Sequence, residues 1–341
     1  MKRILTYIII YPAAIMLLLS ACQKEEVPVF EGGAIDEFMI RTEQLASTKS
    51  YTGGEIKKFE ANDSIRVFGF FKAAESSSRG LRFMPAHNDS VGATYIYEKD
   101  VLGWHRFVKQ SSVGAWRSGF FHDFTAYYLL KKPESKEVEY IMDNKGLAHE
   151  ELLWGETKNV EFRGDAQIIP QITFQHQLSR IKVRILHDMD TNASDEFTVK
   201  EFRFELDNKR AVFNVETGEW NDDDASGDVQ LSFPLNSAIT LDDSNRLEPL
   251  DAAECWTLPG RTISKFEVLI SKGTGIGDEK YVSVDFESHS GFTSEVKTKA
   301  GYVTILQLEL TNLKPIVFTV SLTPWIVQPH SGEISDDEPT P

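Results

Sequence analysis

The stretch Leu178-Ser179-Arg180-Ile181-Lys182-Val183-Arg184-Ile185 decides the fold. Apolar residues alternate here with polar or basic ones, and this period of two predicts a β-strand with one buried and one wet face. A second stretch, Asn62 to Phe71, is rich in β-branched and aromatic residues and follows a polar turn, which also predicts a strand. After the first 21 residues we find no helical period longer than about three turns. The chain is therefore predicted to be mainly β.

Further strand-like runs recur at intervals of about 8–12 residues with turn residues between them, which is typical of β-sandwiches. The pattern is least regular over residues 133–166 and restarts near Ile168. A chain of this length is enough for about two domains of ~150 residues. We therefore predict two β-sandwich domains, residues 35–166 and residues 167–329, followed by an acidic, disordered tail at residues 330–341.

Two hairpins are predicted inside these domains. Tyr95–Tyr97 and Trp104–Val108 are separated by a short turn that contains Lys99-Asp100. Phe197–Leu206 and Ala211–Val215 are separated by Asp207-Asn208-Lys209. Short polar connections between strand-like runs favour antiparallel pairing of the two runs they join.

The N-terminus has the form of a secretory signal peptide, residues 1–21. Lys2 and Arg3 precede an apolar run of about 16 residues, which is shorter than the ~20 residues of a membrane-spanning helix. The tetrad Leu19-Ser20-Ala21-Cys22 resembles the bacterial lipobox. That resemblance implies a lipoprotein whose Cys22 is acylated on its thiol, with residues 22–34 as a lipidated tether to the membrane.

The segment that begins at this cysteine, Cys22-Gln23-Lys24-Glu25-Glu26, resembles the surface-export signal of Bacteroidota lipoproteins. The resemblance implies a protein carried to the cell surface. An ordinary charged tether is the alternative interpretation, because short motifs also arise by chance.

Charge and cysteine content restrict the partners and the chemistry. The formal net charge of −16 repels phosphate backbones, so nucleic acid is excluded as a partner. Once Cys22 is lipidated, Cys255 is the one remaining cysteine, which excludes an internal disulfide. We expect a buried, inert thiol at Cys255.

No motif predicts a catalytic residue, a metal or a cofactor, so an enzyme is not expected. The acidic run Asp222–Asp228 has oxygen ligands, but Phe233 stands where a calcium loop needs its bidentate carboxylate. Trp104, Trp116, Trp154 and Trp220 could form sugar-stacking platforms, but isolated tryptophans in a β protein are more often packed in the core.

Several stretches together resemble the fimbrillin family of Bacteroidota, the lipoprotein subunits of type V pili. They are the lipobox, Asn62–Phe70, Phe124–Tyr128, Ile172–Val183, Ala300–Leu308 and Ile316–Trp325. The chain departs from the family where Leu129-Leu130 follow the tyrosines in place of a frequent proline, and where no glycine follows Trp325 before Gly332.

The resemblance implies two transthyretin-like β-sandwiches in an outer-membrane lipoprotein or a fimbrium at the cell surface. It also implies assembly with other fimbrial subunits by β-strand exchange and adhesion to host or bacterial surface ligands. Whether the subunit belongs to the stalk, the tip or the anchor stays open. A glycan-binding lipoprotein that serves an outer-membrane uptake system is the alternative function, since it would share the lipobox and the sandwiches.

In such pili an Arg-directed protease removes the N-terminal segment, and this implies a processing site here. Ile35–Ile40 is apolar enough for a first strand and is followed at once by Arg41-Thr42. We expect cleavage at Arg41 to release this strand. The alternative is that Arg41 is an ordinary surface residue and the N-terminus stays in place, as would suit an anchor subunit.

The strand donated to the next subunit is expected near the C-terminus. The candidate residues are Val317, Phe318, Val320, Leu322 and Trp325. Phe318, Val320 and Leu322 share one face of an extended strand and could fill pockets. The alternative is an ordinary final strand of the second domain.

Two tripeptides resemble the O-glycosylation sequon of Bacteroidota, which is Asp, then Ser or Thr, then an apolar residue. They place candidate acceptors at Ser90, in a polar loop, and at Ser64, where the Asp-Ser pair could instead be turn chemistry at the start of a strand.

Overall fold

The structure is a computed structural model of the 341-residue chain. It describes residues 31–40, 51–52, 55–56, 59–75, 78–85, 90–99, 105–110, 114–148, 151–163, 168–187, 197–222, 226–241, 248–272, 279–285, 296–311 and 314–324. Within these ranges the secondary structure is strands and turns with no α-helix, which confirms the mainly β prediction. In the same ranges no helix is long and apolar enough to span a membrane.

The strands of the first part of the chain are numbered β1 to β13. They are β1 Glu31–Ala34, β2 Glu37–Ile40, β3 Tyr51–Thr52, β4 Glu55–Ile56, β5 Ser64–Lys72, β6 Leu81–Met84, β7 Ala93–Lys99, β8 His105–Lys109, β9 Ala115–Arg117, β10 Phe121–Leu129, β11 Glu137–Ile141, β12 Leu152–Glu161 and β13 Gln171–His176.

The remaining strands are numbered β14 to β23. They are β14 Ser179–His187, β15 Phe197–Leu206, β16 Arg210–Asn214, β17 Glu219–Asp222, β18 Val229–Leu241, β19 Leu250–Thr257, β20 Ile263–Lys272, β21 Lys280–Asp285, β22 Tyr302–Thr311 and β23 Lys314–Pro324.

The first sheet closes on itself. Its strands follow the order β10-β12-β13-β2-β8-β7-β5, and β5 pairs back with β10, so that seven strands form a barrel with β6 attached to β5. The long strand β5 makes this closure possible, because residues 64–67 pair with β7 while residues 66–72 pair with β10 on the other side. Closure satisfies backbone groups that the edges of an open sandwich would leave unpaired.

The second part of the chain forms a sandwich of two four-stranded sheets, β19-β14-β22-β23 and β18-β15-β20-β21. The predicted alternation in β14 is present: Ile181, Val183 and Ile185 are buried, whereas Lys182 and Arg184 lie on the wetter face and pair with Asp251. The buried residues of β14 pack in one apolar cluster with those of β15, β20 and β22. This burial is the main source of stability for the sandwich.

Cys255 lies buried in β19, as expected. Burial raises the pKa of its thiol, so the protonated form persists at neutral pH. The thiolate is the reactive form, and Cys255 is therefore inert.

A third sheet, β11-β16-β17, joins the two parts of the chain. Strand β11 comes from the predicted first domain yet pairs with β16 of the second, and β13 comes from the predicted second domain yet belongs to the barrel. Residues 133–166, where the sequence pattern is least regular, contain β11 and β12. The many charged residues of these strands lie on half-buried or exposed positions and conceal the alternation.

One predicted hairpin is confirmed and one is wrong. Strands β7 and β8 pair antiparallel, with Tyr97 opposite Phe107. Strand β15 pairs with β18 and β20, whereas β16 pairs with β11 and β17. The turn between β15 and β16 instead contacts the residue before β20. Asp207 Oδ1 accepts a hydrogen bond from Thr262 N at 2.8 Å. The chain therefore changes sheet at this turn.

The turn between β16 and β17 docks on the outside of the barrel. Trp154 Nε1 donates to Val215 O at 3.1 Å, and Thr125 Oγ1 and Arg79 Nη1 donate to Glu216 O at 3.1 Å and 2.9 Å. Barrel residues such as Phe68 also belong to the apolar cluster of the sandwich. An apolar contact of this extent couples the two domains, in contrast to a flexible linker.

Candidate functional site

The leading strand β2 is one of the seven barrel strands and lies between β8 and β13. Strand β1 pairs with β9. The strand is interrupted at Ile35-Asp36, and β2 then lies between β8 and β13. The single strand expected at Ile35–Ile40 is therefore shorter in the structure, where it begins at Glu37. The preceding residues 31–34, which were assigned to the tether, form β1.

Few backbone pairs hold β2 in place. It is antiparallel to β8 over Glu37 to Met39 and parallel to β13 over Met39 and Ile40. Lys109 N donates to Asp36 O at 2.9 Å, and Met39 N donates to Pro170 O at 3.0 Å. Within the described residues, β2 has the fewest backbone pairs of the seven barrel strands. Each hydrogen bond adds only about 1 kcal/mol, so these ladders alone hold it weakly.

Two apolar anchors compensate for the short ladders. Phe38 is fully buried, and its ring centroid lies 4.8 Å from that of Tyr95 and 5.2 Å from that of Phe124. Ile35 is also buried, and its carbonyl oxygen accepts a hydrogen bond from Tyr95 Oη at 2.9 Å. Burial raises the pKa of the Tyr95 hydroxyl, which therefore remains a donor.

Two ion pairs link the leading segment to β8. Glu37 Oε2 lies 2.8 Å from Arg106 Nη1, and Asp36 pairs with Lys109. The basic side chains are about one-third exposed, so each pair contributes at most about 1 kcal/mol. The anchors, not the charges, hold the strand.

Removal of β2 would open a groove between β8 and β13. The facing backbone edges would lose their partners, and Tyr95 Oη would keep only the Met84 sulfur, a weak acceptor 3.4 Å away. A buried polar group without a partner costs about 1–3 kcal/mol. The groove is therefore suited to bind another extended segment, which would restore the ladders and fill the two anchor pockets.

A buried histidine, His122, forms a hydrogen bond to β9, the strand that pairs with β1. His122 Nε2 accepts a hydrogen bond from Arg117 N of β9 at 3.1 Å, so Nδ1 carries the proton and donates to Val160 O at 3.3 Å. The ring packs against Trp116 with centroids 4.9 Å apart. Burial lowers the pKa of His122 to about 4.

The low pKa predicts a loss of stability in acid. The unfolded chain takes up a proton at His122 below pH ~6.5, while the folded protein does so only near pH 4. The free energy of unfolding should therefore fall between these two values, by about 2–3 kcal/mol in going from pH 7.5 to pH 4.5. Urea unfolding at the two pH values measures the loss.

The control is His122→Gln, whose amide can accept from Arg117 N and donate to Val160 O but does not titrate. Carboxylates that titrate near pH 4 affect both proteins alike. An equal loss of stability in both proteins would contradict the assignment to His122.

The other expected site residues are distributed as follows. Cys22, Arg41, Thr42 and Trp325 lie outside the described residues. Val317, Phe318, Val320 and Leu322 lie in β23, which pairs antiparallel with β22 and forms an edge of its sheet in the described part of the chain. Ser90 is exposed in a turn, and Ser64 is half-buried as the first residue of β5.

The tryptophans that could have formed sugar platforms are packed against other side chains. Trp116 stacks on Phe162 with centroids 5.3 Å apart, Trp220 contacts Phe213 at 4.9 Å, and Trp154 covers Gly218. Trp104 lies outside the described residues. Core packing is thus the role of the three that are described. In the described ranges no three His, Cys, Asp or Glu side chains could hold a metal ion.

Two features of this site were not anticipated from the sequence. The bond from Tyr95 to Ile35 O joins residues 60 positions apart, and His122 reaches β9 through a backbone N–H. Neither contact leaves a local pattern of residues, because a hydrogen bond to the main chain does not depend on the identity of the accepting or donating residue.

Comparison with known proteins finds a match to the fimbrillin-like family over residues 48–325. No curated protein matches the chain.

Two of the solved structures that match the chain come from Bacteroides species. A candidate cell adhesion protein from Bacteroides uniformis is 14% identical, with 85% of this chain and 99% of that chain covered and a TM-score of 0.48. A fimbrial protein from Bacteroides vulgatus is 13% identical, with 77% and 93% covered and a TM-score of 0.45. The family match spans most of the sequence. The chain belongs to the fimbrillin-like family.

Proposed function

We propose that this protein is a subunit of a surface fimbria that assembles by β-strand exchange. In this scheme cleavage between Arg41 and Thr42 frees the leading strand, β2 leaves the barrel, and a C-terminal strand of another subunit enters the groove between β8 and β13. Membership of the fimbrillin-like family supports the fimbrial role and a place at the cell surface.

The observation that carries the proposal is the seating of β2. This strand joins β13 to β8 through ladders of two and three residue pairs, and it ends at Ile40, directly before Arg41. Its anchors occupy pockets that would otherwise be empty. A strand held by few bonds but by deep pockets can be replaced by one with equivalent anchors.

The donor is proposed to come from β23 and the residues after it. Val317, Phe318, Val320 and Leu322 lie in this strand, and Trp325 follows it. Within the described residues β23 is bonded to β22 alone. An edge strand gives up one ladder when it leaves its sheet, whereas a central strand gives up two.

Delivery and modification complete the proposal. A lipid on Cys22 would hold the precursor at the outer membrane until cleavage, and the anchor would be lost with the leading segment. Ser90 is the better O-glycosylation candidate, because it is exposed, whereas Ser64 begins a paired strand. We also propose that the domains divide between His176 and Ser179, where the barrel strand β13 gives way to β14.

Substitution of Arg41 by alanine tests the proposal. Protein released from cells that make the natural chain should begin at Thr42, whereas the R41A chain should retain its lipidated N-terminus and form no filaments. N-terminal sequencing and immunogold electron microscopy provide the two measurements.

Arg163→Ala serves as the matched control, because Arg163 is an exposed arginine elsewhere on the barrel. This variant should process and assemble normally. A natural surface protein that still begins at Cys22 would refute cleavage at Arg41.

A further inference from the structure

The anchors of the leading segment are spaced by three residues. A regular strand buries every second residue, but Ile35 and Phe38 are both buried, and the strand is interrupted at Ile35-Asp36. Asp36 is exposed and Glu37 is half-buried, and both pair with basic residues of β8. The groove therefore takes the pattern apolar, two non-anchoring residues, aromatic, and the segment continues with the apolar residues Met39 and Ile40.

The same pattern occurs once more near the C-terminus. Ile35-Asp36-Glu37-Phe38-Met39-Ile40 aligns without a gap to Leu322-Thr323-Pro324-Trp325-Ile326-Val327. Leu322 corresponds to Ile35, Trp325 to Phe38, and Ile326 and Val327 to Met39 and Ile40. The two non-anchoring positions are non-apolar in the leading segment and are Thr323 and Pro324 in the second.

We infer that Leu322–Val327 of a second copy of the chain takes the place of Ile35–Ile40, with Leu322 in the Ile35 pocket and Trp325 in the Phe38 pocket. This inference rests on the strand exchange proposed above and names its register. It differs from a register in which Phe318 enters the Phe38 pocket, because Pro315 would then take the Ile35 position and the apolar Ile316 and Val317 would take the two non-anchoring positions.

A proline at the Glu37 position is compatible with the ladder to β8. Lys109 N donates to Asp36 O, so Asp36 and Lys109 form a hydrogen-bonded pair of the antiparallel ladder. Such pairs alternate along the strands, and the next pair, Glu37 and Val108, is therefore not hydrogen-bonded. The N–H at this position points away from β8, and Pro324 loses no bond to that strand.

The Phe38 pocket also contains a group that a tryptophan needs. A buried indole N–H requires an acceptor. Tyr95 packs against Phe38, and its hydroxyl oxygen can accept a hydrogen bond while it donates to the carbonyl of the residue in the Ile35 position. Thr323 and Pro324 would leave Lys109 and Arg106 without acidic partners, but both basic side chains are partly exposed and hydrated, so the loss is small.

Disulfide trapping tests the register. Met39 faces Arg106 in a pair of the ladder that is not hydrogen-bonded, where the Cα atoms lie about 4.5 Å apart, within the range that a disulfide spans. In the inferred register Ile326 takes the Met39 position. Two full-length, differently tagged chains, one with Ile326→Cys and one with Arg106→Cys, are made in the same cells and oxidised on the cell surface.

The comparison pair is Thr319→Cys with Arg106→Cys, because Thr319 would take the Met39 position if Phe318 entered the Phe38 pocket. Each variant must first form filaments when made alone. We expect a disulfide-linked species carrying both tags with I326C, at least about tenfold more abundant than with T319C, because only the opposed pair meets the distance requirement.

The outcomes separate the register from the exchange itself. Crosslinking of T319C in place of I326C would overturn the register and leave strand exchange standing. Crosslinking of neither variant, in filaments that otherwise form, would overturn both the register and the exchange into this groove. Cys255 does not interfere, because it is buried in β19.

Discussion

Replacement of Phe38 by alanine is expected to lower the free energy of unfolding by about 3–5 kcal/mol, the usual cost of removing a fully buried aromatic side chain. Phe38 is completely buried and packs edge-on against Tyr95 and Phe124. The backbone ladders of β2 are short, so little else holds the segment in the barrel. Urea denaturation of the chain without its signal peptide measures the loss.

The same substitution should also release the leading strand before the barrel unfolds. Limited proteolysis at low urea should cut F38A near its N-terminus while the second domain stays intact. Met39→Ala is the matched control, because Met39 occupies the neighbouring position of β2 but is only half-buried, and it should have a much smaller effect. Equal protection of the N-terminus in F38A and the natural chain would contradict the anchor role of Phe38.

The parts of the fold that follow from local pattern were predictable. The alternation in Leu178–Ile185 was enough to identify β14 and its buried face, and a short connection was enough to pair β7 with β8. In both cases the information lies in neighbouring residues. Period-two burial and turn chemistry are local properties of the chain.

Closure of the barrel and exchange of strands between the two parts of the chain are not local properties. Strand β5 pairs with three partners, and β11 pairs with β16, about 70 residues away in sequence. A strand's sequence specifies which face is buried but not which strand lies beside it. The prediction of a hairpin between β15 and β16 failed for this reason.

The position of the leading segment in the sequence was predictable, but the way its side chains anchor it in the barrel was not. An apolar segment directly before Arg41 drew attention to Ile35–Ile40. The strand interruption at Ile35-Asp36 accompanies the anchor spacing of three, and the contacts made there with Gly114 and Lys109 lie outside the segment's own sequence. A strict period of two would have placed Ile35 and Phe38 on opposite faces.

Substitution of Gly218 by alanine is expected to destabilise the joint between the two domains. Gly218 has φ of +77°, and a Cβ atom there would lie 2.6 Å from two ring carbons of Trp154. The left-handed conformation costs alanine about 1–2 kcal/mol, and the clash adds about 1–3 kcal/mol. The turn cannot simply move away, because Trp154 Nε1 and Thr125 Oγ1 donate to its carbonyl groups.

Gly227→Ala separates these two contributions. Gly227 has φ of +74°, but a Cβ atom there would meet nothing within 4 Å, so only the conformational cost applies. Denaturant unfolding should therefore give a loss of about 1–2 kcal/mol for G227A and a loss larger by about 1–3 kcal/mol for G218A. Equal losses would show that Trp154 yields to the new methyl group and that the turn is not tightly docked. A larger loss in G218A would mean that this turn is tightly docked against Trp154 of the barrel.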